Sequence, residues 1–190
     1  MATLVYSMGV SLDGFIAGPG GDISWTVPSE ELHLFHNRLA EATELHLCGR
    51  LLYETMLVWE RWEEEQPDAG PAELEFAPIW RAMPKLVFSR TLSSVEGSNT
   101  ELATGDLVET VRELKAKGDG QIAVGGAALA ADLVRAGLID EYRLFVYPVV
   151  IGAGTPFFPP LDEPIDLELV ETRDFGSRVT HLRYRAKAVD

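Results

Sequence analysis

Residues 122–134 read IAVGGAALAADLV. A strand-like apolar run stops at Gly125-Gly126, and alanines and leucines follow at helical spacing. Two readings of that junction are open. A tight turn needs a positive φ, which glycine adopts without steric penalty. Alternatively, glycines at a strand-to-helix junction let a phosphate approach bare backbone and the positive end of the helix dipole.

The same strand-then-helix step recurs outward from this point. TLVYSMGV (3–10) is an apolar opening strand, followed by the Gly/Pro-rich loop SLDGFIAGPGGDISWT (11–26). Pro28-Ser29-Glu30-Glu31 has the form of a helix start, with Ser29 as N-cap and acids in the first turn. Leu32, Phe35 and Leu39 give that helix an apolar stripe. TELHLCG (43–49) and RLLYETM (50–56) form a second strand and helix. The acidic, proline-containing stretch 59–73 reads as an exposed excursion before a short helix over 72–83. KLVFS (85–89) is the next strand, and 105–118 is a helix ending at Gly118. QIAVGG (121–126) and AALAADLVRAG (127–137) repeat the step.

From Asp140 onward the stretches 141–152, 166–175 and 179–188 read as long strands. Alternation followed by a β-rich tail predicts an α/β fold, a parallel sheet with antiparallel strands added late.

Composition narrows the function classes. At 190 residues with 46% hydrophobic content, one domain spanning 1–190 is expected. A formal net charge of -14 argues against a nucleic-acid binder, which needs a basic face, and disfavours anionic membranes. It leaves room for a phosphorylated ligand, for which one or two placed arginines suffice. Cys48 is the sole cysteine, so neither an intrachain disulfide nor a cysteine zinc cluster is possible. No leader pattern opens the sequence and no apolar run is long enough to span a membrane, so a cytoplasmic protein is the default expectation.

Three strand ends carry the candidate chemistry. Gly49-Arg50 opens a helix after the second strand, Ser89-Arg90 follows KLVF, and Gly125-Gly126 opens another helix. In open α/β sheets ligands bind beyond the carboxyl ends of the strands. Two glycine-opened helices and two arginines are suitable parts for a dinucleotide with an extra phosphate. Each has a bland alternative, a turn or a solvated arginine, and the GxGxxG fingerprint is absent. Asp13 in SLDG can close an Asx-turn with Gly14 at positive φ, and Glu30 and Glu31 can simply favour the helix dipole. The functional alternative is a carboxylate at a pocket mouth that binds or protonates a substrate. His33-x-x-His36 lacks further ligands and reads as surface, so no metal site is expected. The Trp59–Trp62 pair reads as a hydrophobic latch over the core.

The collinear series SLDGFIA, GDISW, CGRLLYE, KLVFSR, IAVGGAAL and IDEYRLFVYPVVIGAGTPFF resembles the dihydrofolate reductase superfamily over almost the whole chain. Within it the series is most similar to the branch of the riboflavin-biosynthesis reductase, the RibD C-terminal domain. The resemblance implies a three-layer αβα fold, with a mixed, mostly parallel sheet and an antiparallel C-terminal strand. It implies NADPH as hydride donor, with Gly49 and Arg50 at its phosphates and Ser89 and Arg90 near the 2′-phosphate. Gly125, Gly126 and Ala127 would meet the pyrophosphate, at a glycine pair whose peptide bond is often cis in the family. On this basis the two glycines let backbone meet phosphate.

On the substrate side WTVPSEEL (25–32) resembles the dihydrofolate reductase stretch in which an acid opening the first helix binds the pterin. Glu30 matches in offset, with Glu31 one register away and Trp25 beside them. SLDG and GAGTPFF instead resemble the riboflavin branch, in which the loop aspartate, here Asp13, lies near nicotinamide and substrate.

Two departures bear on substrate. Leu52 replaces the threonine of GRxTYE, removing a hydroxyl contact to phosphate, and Ser7 stands where the riboflavin branch tends to carry lysine. No stretch has the ligands for the zinc deaminase domain of the bifunctional riboflavin enzymes.

The expectation is therefore an NADPH-dependent reductase of a small heterocyclic or sugar-like substrate. Asp13 or Glu30 would orient that substrate or relay a proton to it. Residues 11–25 are a candidate lid, with glycines at 14, 18, 20 and 21. The alternatives are the riboflavin-pathway reductase acting on 5-amino-6-(5-phosphoribosylamino)uracil, and a non-catalytic NADPH-binding protein. Homodimers are common in the riboflavin branch, and the apolar stretch 140–159 is a candidate interface.

Overall fold

The computed structural model describes residues 1–176 and 178–187. Its centre is β1 (Thr3–Ser11), whose Leu4, Tyr6, Met8 and Val10 alternate along one face of the sheet. The chain continues through β2 (Phe15–Ala17), α1 (Glu30–Glu41), β3 (Thr43–Gly49), α2 (Arg50–Met56), α3 (Trp62–Glu65) and α4 (Pro71–Ala82). Then come β4 (Lys85–Phe88), β5 (Thr100–Leu102), α5 (Leu107–Lys117), β6 (Gln121–Gly125), α6 (Ala127–Arg135) and β7 (Glu141–Tyr147). The final strands are β8 (Thr155–Pro156), β9 (Leu167–Phe175) and β10 (Val179–Ala186).

The main sheet has eight strands in the order β5-β4-β3-β6-β1-β7-β10-β9. The pairs from β5 across to β7 are parallel, and β10 alone runs antiparallel to its neighbours β7 and β9. On one face α5 and α6 bury Val111, Leu129 and Leu133 against β1, β6 and β7. On the other, Leu32, Phe35 and Leu39 of α1 meet Phe145, Tyr147 and Phe175, and α2 and α4 bury Tyr53, Phe76 and Trp80 on Cys48 and Val87. This is the mostly parallel, three-layer αβα arrangement with an antiparallel final strand.

Helix boundaries follow local chemistry. Ser29 accepts from the Leu32 amide at 3.3 Å, the expected N-cap of α1. Pro71 occupies the first turn of α4, where its missing N–H is harmless, so that helix starts one residue before the expected 72. The strand expected over 141–152 stops at Tyr147, because Pro148 lacks the amide donor a strand needs. The strand expected over 179–188 ends at Ala186, and Ala188 lies outside the described residues. Strands β2, β5 and β8 are too short to display any period in sequence, and β2 pairs with β8 to tie residues 15–17 to 155–156.

Candidate active site

The turns after β3 and β6 lie side by side because Cys48 and Gly125 are register partners. A Cβ on Gly126 would sit 3.7 Å from the Cα and N of Gly49, and a Cβ on Gly49 would sit 3.6 Å from the Gly125 carbonyl. Gly126 has φ 100° and ψ 124°, outside the usual range of side-chain-bearing residues, so the glycine there is required by the backbone. The Gly125–Gly126 peptide bond is trans. Neither α2 nor α6 has a side-chain cap, so the first-turn N–H groups of both helices are left to other acceptors. Leu52 lies against Gly125, where a Cβ would collide with its Cδ2 and approach His46 Nε2 to 2.8 Å.

Arg50 is exposed and pairs loosely with Glu54 at 3.4 Å, one helical turn on. Tyr53 of the same motif is buried and serves the fold: its hydroxyl donates to the Glu96 carbonyl at 3.1 Å and accepts from the Glu96 amide at 2.8 Å. Beyond β4, Ser89 Oγ accepts from the amides of Thr91 and Leu92, closing a tight turn. Arg90 is exposed on that turn and makes no ion pair among the described residues. Since β4 neighbours β3, these groups end at the same carboxyl edge as the two glycine turns.

A cavity of about 650 Å³ opens beside them. Tyr6 pairs with Val124, so Met8 and Gly9, which line the cavity from β1, stand just beyond the level of Gly125 on the next strand. The other walls come from α1 (Glu30, His33, His36), from Met56, Trp59 and Trp62, from the start of α4 (Glu73, Phe76), and from Tyr147. Ile16, Ile23, Thr26 and Val27 of the first loop also contribute. The flanking helices are tied together by Asn37, whose buried Nδ2 donates to the Ala72 carbonyl at 2.8 Å.

The sequence-predicted carboxylates separate. Glu30, the first residue of α1, lines the cavity. Glu31 points elsewhere, into an ion pair with Arg173 at 3.0 Å. Asp13 accepts from the amides of Ile151 and Gly152 at 3.2 and 2.7 Å and is not part of the cavity wall. The neighbouring Ser11 hydroxyl, with those two amides, holds Asp13 below the usual carboxylate range. A low carboxylate pKa makes Asp13 a poor proton donor at neutral pH. The turn at Asp13 does include Gly14 at φ 89°, and its carboxylate anchors the later loop. Trp25 also stands outside the cavity wall, edge-on to Tyr147 with centroids 5.7 Å apart.

The histidine pair expected at the surface turns inward. His33 and His36 lie one turn apart on the inner side of α1 and line the cavity, because that side faces α4 and the sheet. Burial pulls the His36 pKa down to about 4, with His33 and His181 adding to the effect. His33 is lowered by burial too, against a partial counter-pull from Glu73 and Glu75. Both rings are therefore neutral hydrogen-bonding groups near pH 7. Trp59 and Trp62 are a cavity wall, with ring centroids 4.3 Å apart and Phe76 edge-on to Trp59 at 4.7 Å. Their i, i+3 spacing inside an otherwise acidic stretch was the one sequence signal for this wall. Glu73 had none: its Oε2 accepts from the Gly70 amide at 2.8 Å, and only the fold brings it to the cavity.

Among the described residues no helix is long and apolar enough to cross a membrane. Residues 2–181 match the RibD C-terminal domain family. The uncharacterized protein YyaP of Bacillus subtilis (strain 168) is 31% identical over 186 residues, covering 95% of this chain and 93% of that protein. A protein of Shewanella sp. PV-4 provisionally ascribed to riboflavin biosynthesis has the same fold. Its TM-score is 0.73 at 23% identity, over 99% of this chain and 100% of that one. A dihydrofolate reductase of Enterococcus faecalis, complexed with NADP(H), aligns at a TM-score of 0.62 and 17% identity, over 98% and 97% of the two chains. The matched span, the strand order and the antiparallel β10 agree: the fold is that of dihydrofolate reductase, and the chain belongs to the RibD C-terminal domain family.

Proposed function

We propose that this protein is a cytoplasmic, homodimeric NADPH-dependent reductase of a small heterocyclic or sugar-like compound. The observation that carries the reading is the contact between the Gly49 turn and the Gly125–Gly126 turn, beside a cavity lined by the adjacent strand β1. The residues present suit a dinucleotide: bare backbone at two uncapped helix starts, with Arg50 and Arg90 near the same edge. Gly49, Arg50, Gly125, Gly126 and Ala127 would hold the pyrophosphate region, and Ser89 and Arg90 the 2′-phosphate. When bound, NADPH supplies the hydride.

The chain's own residues would do the rest. The apolar walls around Met8, Met56 and Trp59 exclude water from the substrate, which strengthens every polar contact inside. Glu30, at the cavity, orients the substrate or passes it a proton through water. Asp13, committed to the 151–152 amides, acts as a positioning residue for the loop. Residues 18–25 would be the moving part of the candidate lid, since Gly14 and residues 15–17 are tied to 155–157. A reductase of the riboflavin pathway is the second reading, favoured by the likeness to the Shewanella protein.

Titration with NADPH and NADH in parallel, followed by tryptophan fluorescence, tests the cofactor. An arginine on the 2′-phosphate makes NADPH about ten- to a hundred-fold tighter, roughly 1.5–3 kcal/mol; Arg90→Ala removes that margin, whereas Arg50→Ala weakens both nucleotides. If neither nucleotide binds, the glycine pair is only a turn and the reading fails.

A further inference from the structure

We infer that the cavity takes a planar ring compound that is neutral or cationic and carries no phosphate, and that Trp59 and Glu73 select it. This names the substrate class for the reductase reading, and rests on that reading only in taking the bound ring as the substrate.

The first observation is the sign of the charges. Glu30 and Glu73 are the charged side chains on the cavity wall, and no lysine or arginine among the described residues lines it. Arg81, behind the wall, is held by Glu63 at 2.6 Å and by the Trp59 carbonyl at 3.2 Å, and does not reach the cavity. His33 and His36 add no positive charge near neutrality, because burial keeps them unprotonated. A phosphate ester here would face two carboxylates between apolar walls, where like charges repel more than in water. The groups that suit phosphate are segregated from this space: the Gly49 and Gly125–Gly126 turns, Arg50 and Arg90 all lie outside the lining.

The second observation is shape. Trp59, Trp62 and Phe76 make a continuous aromatic wall, and His33 stands edge-on to Trp59 at 6.1 Å. Aromatic faces favour flat rings, and cationic ones further through the negative ring face. Glu73 stands on this wall with one oxygen, Oε2, on the Gly70 amide and the other, Oε1, without a hydrogen bond among the described residues. It is placed to accept an amino or ring N–H from a compound stacked on Trp59. A volume of about 650 Å³ suits a compound of one or two rings with substituents.

The test uses three flat probes on the whole protein: benzamidine as cation, 2-aminopyrimidine as neutral ring and phenyl phosphate as anion. Affinities are measured by ligand-observed NMR with NADPH present in excess, so that the glycine turns are occupied. Benzamidine and 2-aminopyrimidine are expected to bind at least about ten-fold tighter than phenyl phosphate. Glu73→Gln, which keeps the oxygen that caps α4 but puts an NH2 in place of the free oxygen, is expected to cost benzamidine about ten-fold and the uncharged 2-aminopyrimidine a smaller factor of about two to four. Trp59→Leu is expected to weaken both. Phenyl phosphate binding as tightly as benzamidine, no binding by any probe, or affinities unmoved by both substitutions would each overturn the inference. NADPH binding with a preference for phenyl phosphate removes the substrate class and leaves the reductase reading. Ring binding with the expected preference in a protein that ignores NADPH removes the reductase reading and leaves the class.

Discussion

At Gly126 a single residue joins backbone conformation to the proposed ligand chemistry. A side chain there would meet only ordinary contacts at 3.7 Å, so substitution is opposed by the φ of 100° rather than by crowding. Gly126→Ala is expected to destabilise the fold by about 1–3 kcal/mol, read as a lower urea midpoint, and to weaken NADPH binding. An unchanged midpoint would mean that this backbone conformation is not required. The position was legible in sequence because two glycines interrupted a clear strand-to-helix junction. The identity of the cavity carboxylate was less so. Spacing gave Asp13, Glu30 and Glu31 each a bland turn or dipole role, and the fold sends them to three different partners: the 151–152 amides, the cavity and Arg173. Side-chain direction at a loop or first helical turn depends on what the rest of the chain places nearby, which spacing cannot report.

At the scale of elements, the stretch 140–159 carries an expectation about assembly. Residues 141–147 form an internal strand between β1 and β10, so they are unavailable to a second copy. The exposed part is 148–156, where Val150 is 67% accessible. If this segment forms the proposed dimer contact, Val150→Asp should weaken association about ten-fold or more in sedimentation equilibrium. A protein that sediments only as monomer at micromolar concentration would refute the dimer. The helices and long strands were readable from periodicity and caps, as Ser29 and Leu32, Phe35 and Leu39 illustrate. The excursion 59–73 was readable as polar but not as functional. Its two tryptophans reach the cavity because α4 packs on α1 and brings Trp59 against His33, a non-local contact with no sequence period.

For the whole molecule, buried histidines make stability depend on pH. His36 and His46 are both pushed down to about 4 by burial, with neighbouring histidines assisting at His36 and Lys85 at His46. In the unfolded chain each titrates near 6.5. Between those values the unfolded state binds protons that the folded state refuses. Stability is therefore full above about pH 6.5 and falls as the pH drops towards 4, by roughly 1–3 kcal/mol per histidine. Urea midpoints at pH 7.5 and 5.0 check this, and His36→Gln should flatten the difference. Equal midpoints for the parent protein would show that these rings are not sequestered as described. The sequence by itself determined the order of the long strands and main helices, the two glycine turns and the family, because these are local or collinear properties. Only the tertiary structure decided that Glu30 rather than Asp13 lines the cavity, that His33 and His36 face inward, and that Trp59, Trp62 and Glu73 form a wall. Those facts depend on which distant segments share a space, and that is set when the helices close over the carboxyl edge of the sheet.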